Sequence, residues 1–128
     1  MSKFTVYQID SSVDANLETM RDLMCFGSEA YKPEMIDLFR IVAEVESDDL
    51  EMVFHWMNRP GWQSDEDRVT LYRRAHSLSI GDIIYSYDDC GFHMVDREGF
   101  TKIHIDCDTK NLEERINALQ ERVAKLVA

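Results

Sequence analysis

The chain has 128 residues, 45% hydrophobic and 30% charged, with 25 acidic against 14 basic side chains and a net charge of −11. That length fits one domain with a sizeable core, and the balance is that of a soluble globular protein. No apolar run reaches the ~18 residues of a membrane span, Met1–Thr5 lacks the charged-then-apolar layout of a signal peptide, and so acidic a surface repels nucleic acid and anionic membrane. Cys25, Cys90 and Cys107 are odd in number, which points to free thiols in a reducing cytoplasm. The charge is lopsided: residues 1–66 hold 5 basic and 14 acidic side chains, a net of −9.

Phe4–Ile9 alternates apolar and polar side chains and is rich in β-formers, so it reads as a strand. Asp10, Ser11 and Ser12 offer capping oxygens for a helix over 12–24, whose buried stripe is Val13, Leu17, Met20 and Met24. Asp10, Asp14, Glu18 and Asp22 step by four along the same helix and line one side of it. Cys25 follows the stripe and reads as a core residue. Gly27-Ser28 and Lys32-Pro33 break the pattern. Residues 36–45 read as a strand. Ser47, Asp48 or Asp49 then caps a helix over 48–58 with Leu50, Val53, Phe54 and Met57 inward.

Trp56 lies off that stripe and Trp62 follows Pro60-Gly61. Both are candidate partner-binding aromatics. Residues 61–70 read as a polar loop, and Leu71, Tyr72 and Ala75 as a helical turn. Strands follow at 83–87, 92–96 and 100–105, the last two joined by a turn at 97–99. Asn111 and Glu114 form a capping-box pair. Leu112, Ile116, Leu119, Val123 and Leu126 make a short heptad seam on a C-terminal helix over 108–128, which either packs on the domain or pairs with a second copy through 112–126. The expected fold is α+β, a small mixed or antiparallel sheet with flanking helices and a C-terminal helix, in one domain over 1–128.

Candidate chemistry is sparse. Cys90-x-x-His93 and His104-x-x-Cys107 have zinc-like spacing. With a three-residue turn, however, His104 pairs with Phe92, which leaves His93 on the other face. No metal and no cofactor are expected. The acid pairs Asp48-Asp49, Asp65-Glu66-Asp67 and Asp88-Asp89 read as solvated loops. Arg68, Arg73, Arg74 and His76 form a basic cluster, read as solvated or balancing the acidic half. In the block Ser77–Asp82, Gly81 permits a bend and Asp82 bonds nearby backbone amides, so Ser77, Ser79, Gly81 and Asp82 read as a fold motif.

Tyr7-Gln8-Ile9, Phe39–Glu46, Leu50–Phe54 with Asn58, Arg74–Ile84 and Phe92–Phe100 together resemble, in order, the YodL-like domain. The resemblance spans residues 4–105 and is carried chiefly by Ser77-Leu78-Ser79-Ile80-Gly81-Asp82 with Val95-Asp96 and Gly99-Phe100. It implies a bacterial, phage or mobile-element setting and brings no catalytic residues. The residues themselves point to a non-enzymatic acidic binding protein with no catalytic group. Asp14, Glu18 and Asp22, with the tryptophans, would engage a basic host protein, a nucleic-acid-binding or defence protein inhibited by a DNA-mimicking face. The alternative is a small enzyme whose site lies around 76–82.

Overall fold

The computed structural model describes residues 2–65 and 67–104. Strands β1 (Ser2–Ile9), β2 (Phe39–Ser47), β3 (Val69–Leu71), β4 (Ile83–Ser86), β5 (Gly91–Val95) and β6 (Phe100–Ile103) form a sheet in the order β3-β2-β1-β4-β5-β6. Every neighbouring pair is antiparallel. With helices α1 (Leu17–Phe26) and α2 (Leu50–Met57) the fold is α+β. The segment 108–128, including the seam from Leu112 to Leu126, lies outside the described residues.

Strand alternation splits the apolar residues into two cores. Phe4, Val6, Val45, Ile84 and Val95 pack on one face with Val53 and Met57 of α2. Tyr7, Ile9, Ile41, Ile83, Tyr85 and Met94 pack on the other with Leu23 of α1. A β-bulge adjusts this alternation. Val6 pairs with Ala43 and Tyr7 with Ile41, leaving Val42 unpaired in the ladder. Val42 and Ala43 therefore share the α2-side core, while Ile41 and Phe39 turn to the other.

Several elements differ from expectation. The strand expected over 36–45 starts at Phe39, because Pro33–Leu38 runs as a 3-10 helix with Pro at its first turn. The residues expected as a helical turn begin with a short edge strand instead, since Leu71 belongs to β3 and pairs with Ala43. The polar loop contains a 3-10 turn, Trp62–Ser64. Of the three candidate caps, Asp49 caps α2, its side chain accepting from the Met52 amide at 2.9 Å. Phe54 of the expected inward set is exposed.

The first helix departs most. Asp14–Asn16 is a 3-10 turn, and α1 begins only at Leu17. Asp10 does not cap it; its carboxylate accepts from the Ser12 amide and hydroxyl at 3.1 and 2.5 Å. Of the stripe expected to be buried, Val13, Leu17 and Met24 are 45%, 44% and 52% exposed; Met20 is half-buried against the sheet core, and Leu23 holds the helix to the sheet. Cys25, expected in the core, is exposed. The β5–β6 register also shifts by one from expectation. Phe92 pairs with Ile103 and His93 with Lys102, with residues 96–99 as the loop. The register expected to separate His93 from His104 is therefore not the one formed.

Candidate functional site

The segment between β3 and β4 crosses the α2 face and brings the Ser77–Asp82 block over β1. Its anchor is Gln8, which lies on the parity of Phe4 and Val6 and is 2% exposed. A buried amide must have its hydrogen bonds satisfied. Gln8 Nε2 donates to the His76 carbonyl at 2.9 Å and to Asp82 Oδ2 at 3.1 Å, and its Oε1 accepts from the His76 amide at 3.2 Å. Asp82 Oδ2 also accepts from the Ser79 amide at 2.8 Å.

Asp82 N donates back to the Ser79 carbonyl at 3.0 Å, closing a turn with Ile80 and Gly81 at its centre. Gly81 has φ of +96°, at the position where a type II turn requires a positive value. The Gly81 amide donates to Val95 O and the Val95 amide to Asp82 O, at 2.9 and 2.8 Å, which ties the turn to the end of β5. The fold role read from Gly81 and Asp82 thus has a definite geometry.

Burial pushes the Asp82 carboxyl up to about 7, while the His76 ring and the bonds from Ser79 and Gln8 act to lower it. His76 Nδ1 lies 2.7 Å from the Ser77 carbonyl and 3.9 Å from Asp82 Oδ2. The same Nδ1 also lies 3.3 Å from Gln8 Nε2, so a carbonyl acceptor and an amide donor both meet it. Nε2 is enclosed, with no partner among the described residues. The Ser79 hydroxyl donates to Ser77 O at 3.1 Å. The cluster sets a buried carboxyl beside an imidazole, but its bonds serve the loop.

Beside it opens a groove of about 670 Å³ that contains an unexpected concentration of cations: Arg40, Arg73, Arg74 and the rim of His76. The fold assembles them. Arg40 lies opposite Gln8 in the β1–β2 register. The bulged Val42 offers its carbonyl to the amides of Tyr72 and Arg73, at 2.9 and 3.3 Å, and so directs the chain past Arg40. Arg68 of the same sequence cluster lies elsewhere. It stacks on Trp56, 4.1 Å from the ring centroid, and pairs with Asp65 at 3.5 Å.

The sequence-derived partner residues scatter. Asp14, Glu18 and Asp22 are exposed, but only Glu18 and Asp22 lie on α1. Asp10 sits in its own turn with Ser12, so the four carboxylates do not follow one helix. Trp62 is buried at 2% and belongs to the α2-side core, so it is no surface aromatic. Trp56 is half-buried between the guanidiniums of Arg59 and Arg68.

Each acid pair has a member at work. Asp49 caps α2, Asp65 bonds Arg59 at 2.7 Å, and Asp89 bonds His93 Nε2 at 2.9 Å. Among the described residues, no group of three or more His, Cys, Asp or Glu side chains is arranged to hold a metal ion. Cys107 lies outside them.

Gln8 and Arg40 were not singled out from the sequence. Gln8 had a signal: a polar residue on the apolar parity of a strand. Arg40 had none, because its neighbours are set by the bulge.

An antiparallel sheet carrying helices on both faces, with a buried Gln–Asp anchor beneath a Gly-containing turn, defines a small α+β domain organised around the β3–β4 crossing. A model of the YodL-like domain matches residues 3–105. The chain belongs to the YodL-like domain family. No curated protein and no solved structure matches it. Among the described residues, no helix is long and apolar enough to cross a membrane.

Proposed function

We propose that the chain is a non-enzymatic binding domain that docks through the outer face of α1 onto a protein with a basic and partly apolar surface. The observation that carries this reading is the number of large apolar side chains left exposed on α1 and just before it. Val13, Leu17, Met24 and Phe26 are 45%, 44%, 52% and 58% exposed. Exposed apolar side chains gathered in one place mark interaction sites more often than isolated ones do. Asp14, Glu18 and Asp22 are exposed in the same segment and form no ion pair among the described residues. A partner must then supply cations for the rim and an apolar surface for the centre, the usual anatomy of a protein interface.

A basic surface of that kind in a bacterial host is commonly one that holds nucleic acid. Occupying it would inhibit the host protein. This fits a phage or mobile-element protein acting in the cytoplasm of its host. The mimicry does not depend on a straight row of four carboxylates, because Glu18 and Asp22 on α1 and Asp14 just before it supply charge at separate points. Self-association through residues 112–126 is a separate proposal, tested by sedimentation with Leu119→Glu.

Two variants test the docking face. Replacing Asp14, Glu18 and Asp22 with Asn or Gln should weaken capture of the partner at low salt and flatten its salt dependence. Leu17→Ser with Met24→Ser should weaken it at all salt concentrations. A partner bound equally by both variants and the parent would rule out this face.

The alternative is a small enzyme with its site at 76–82. It is favoured by the near-neutral Asp82 carboxyl beside His76. Against it, Asp82 Oδ2 is taken up by Ser79 and Gln8, and the Ser79 hydroxyl is turned to a backbone carbonyl. A phenotype kept intact when His76, Ser77 and Ser79 are all replaced by Ala would remove the enzyme reading.

A further inference from the structure

We infer that the groove between the bulged half of β2 and the 73–76 segment binds a small organic phosphate. In a chain with 25 acidic and 14 basic side chains, cations usually find carboxylates. Here three arginines line one groove, and among the described residues none has a carboxylate within ion-pair distance. Asp10 feels the charges of Arg40 and Arg73 and offsets them in part, but one carboxylate for three guanidiniums leaves an excess of positive charge that a bound anion would balance.

The arginines are also prepared for a ligand. Arg40 Nη1 donates to the carbonyls of Asp37 and Phe39, at 2.7 and 2.8 Å, which fixes the plane of its guanidinium and leaves other N–H groups free. Arg73 is held at the backbone by the Val42 carbonyl. Guanidinium forks match phosphate oxygens in pairs, and three of them suit a dianion better than a single carboxylate. Ser11 stands at the same groove as a neutral donor, while the Ser12 hydroxyl is already given to Asp10.

Size and charge choose among phosphates. A groove of about 670 Å³ has the volume of a small-molecule site. A chain of net charge −11 repels a polyanion at a distance, whereas a small anion needs only the local field. Ile9, Val42 and Ala75 give the groove an apolar part, so the ligand carries a neutral organic portion beside its phosphate. Asp10 is the acid in the lining, and its carboxylate opposes the ligand.

The test is calorimetric titration of the full chain with inorganic pyrophosphate, adenosine monophosphate and a short single-stranded oligonucleotide, at constant ionic strength. The expected result is saturable binding of the two small phosphates. Arg73→Gln with Arg74→Gln should weaken it by about tenfold or more, as loss of charge-assisted bonds does. Asp10→Asn should tighten it. The pair Arg21→Gln with Lys32→Gln removes the same charge away from the groove and should leave it unchanged. Circular dichroism and melting of each variant check the fold; Arg21, Lys32, Arg73 and Arg74 are exposed and Asp10 is half-buried. The inference is overturned by no saturable binding of either small phosphate, by equal affinity in the Arg73/Arg74 variant, by equal weakening in the Arg21/Lys32 control, or by an oligonucleotide that binds more tightly than the monophosphate.

Discussion

Gly81 lies against Leu23, so closely that a Cβ built on it would come 2.7 Å from the Leu23 Cβ. This joins the family's Ser77–Asp82 block to the single fully buried residue of α1. A side chain here meets two obstacles, the positive φ and the helix backbone behind Leu23. Gly81→Val should therefore cost about 2–5 kcal/mol, combining backbone strain with overpacking. Ser77→Ala, at an exposed position, should stay within about 0.5 kcal/mol. Urea denaturation of both variants checks this, and a Gly81→Val protein as stable as the parent would remove the structural role of the block.

Asp82 makes stability depend on pH in the direction opposite to most carboxylates. Its folded-state value, about 7, lies above the ordinary 3.8. Between those values the folded chain holds a proton that the unfolded chain releases, so the contribution is full below about pH 4 and is lost as pH rises through 7. The effect is of order one to a few kcal/mol. Asp82→Asn keeps an oxygen for the Ser79 and Gln8 donors without the charge. Its stability relative to the parent should rise between pH 5 and pH 8, followed by denaturation at each pH. A constant difference across that range would contradict the buried-carboxyl account.

The two tryptophans should respond differently. Trp62 is enclosed with Val53, Met57 and Val69, so Trp62→Ala should cost about 3–5 kcal/mol. Its indole N–H has no partner among the described residues, so Trp62→Phe should lose much less. Trp56→Ala removes stacking by Arg59 and Arg68 at the surface and should cost about 1–2 kcal/mol. Thermal melts with each tryptophan replaced singly give the order, and a larger loss at Trp56 would reverse this assignment.

Most strands and α2 were readable in the sequence because their signals are local: alternation in Phe4–Ile9, and the capping candidates Ser47, Asp48 and Asp49 ahead of an apolar run, among which the structure selects Asp49. The fold class followed from the tight links between the last three strands. What could not be read depends on the partner of a pattern. Val13, Leu17, Met20 and Met24 do have helical spacing, but spacing does not say whether the stripe is covered, and only Met20 of the four packs on the core, beside the fully buried Leu23. The three residues of β3 are too few to alternate visibly. The bulge at Val42 changes the parity of β2 midway, which hid the arginine groove. Gln8 and Asp82 are 74 residues apart, and only the finished sheet brings them together.

Site-specific photo-crosslinking from α1 tests the docking face most directly. A photoreactive phenylalanine analogue is placed at Met24 in one protein and at Thr70, on the edge strand β3, in another; both positions are exposed. Each is irradiated in host lysate, with and without Asp14→Asn, Glu18→Gln and Asp22→Asn in the same chain. The account predicts a specific adduct with a basic protein from Met24, little from Thr70, and loss of the Met24 adduct at high salt and in the triple variant. An adduct formed equally from both positions, or from Met24 with no dependence on the three carboxylates, would contradict it.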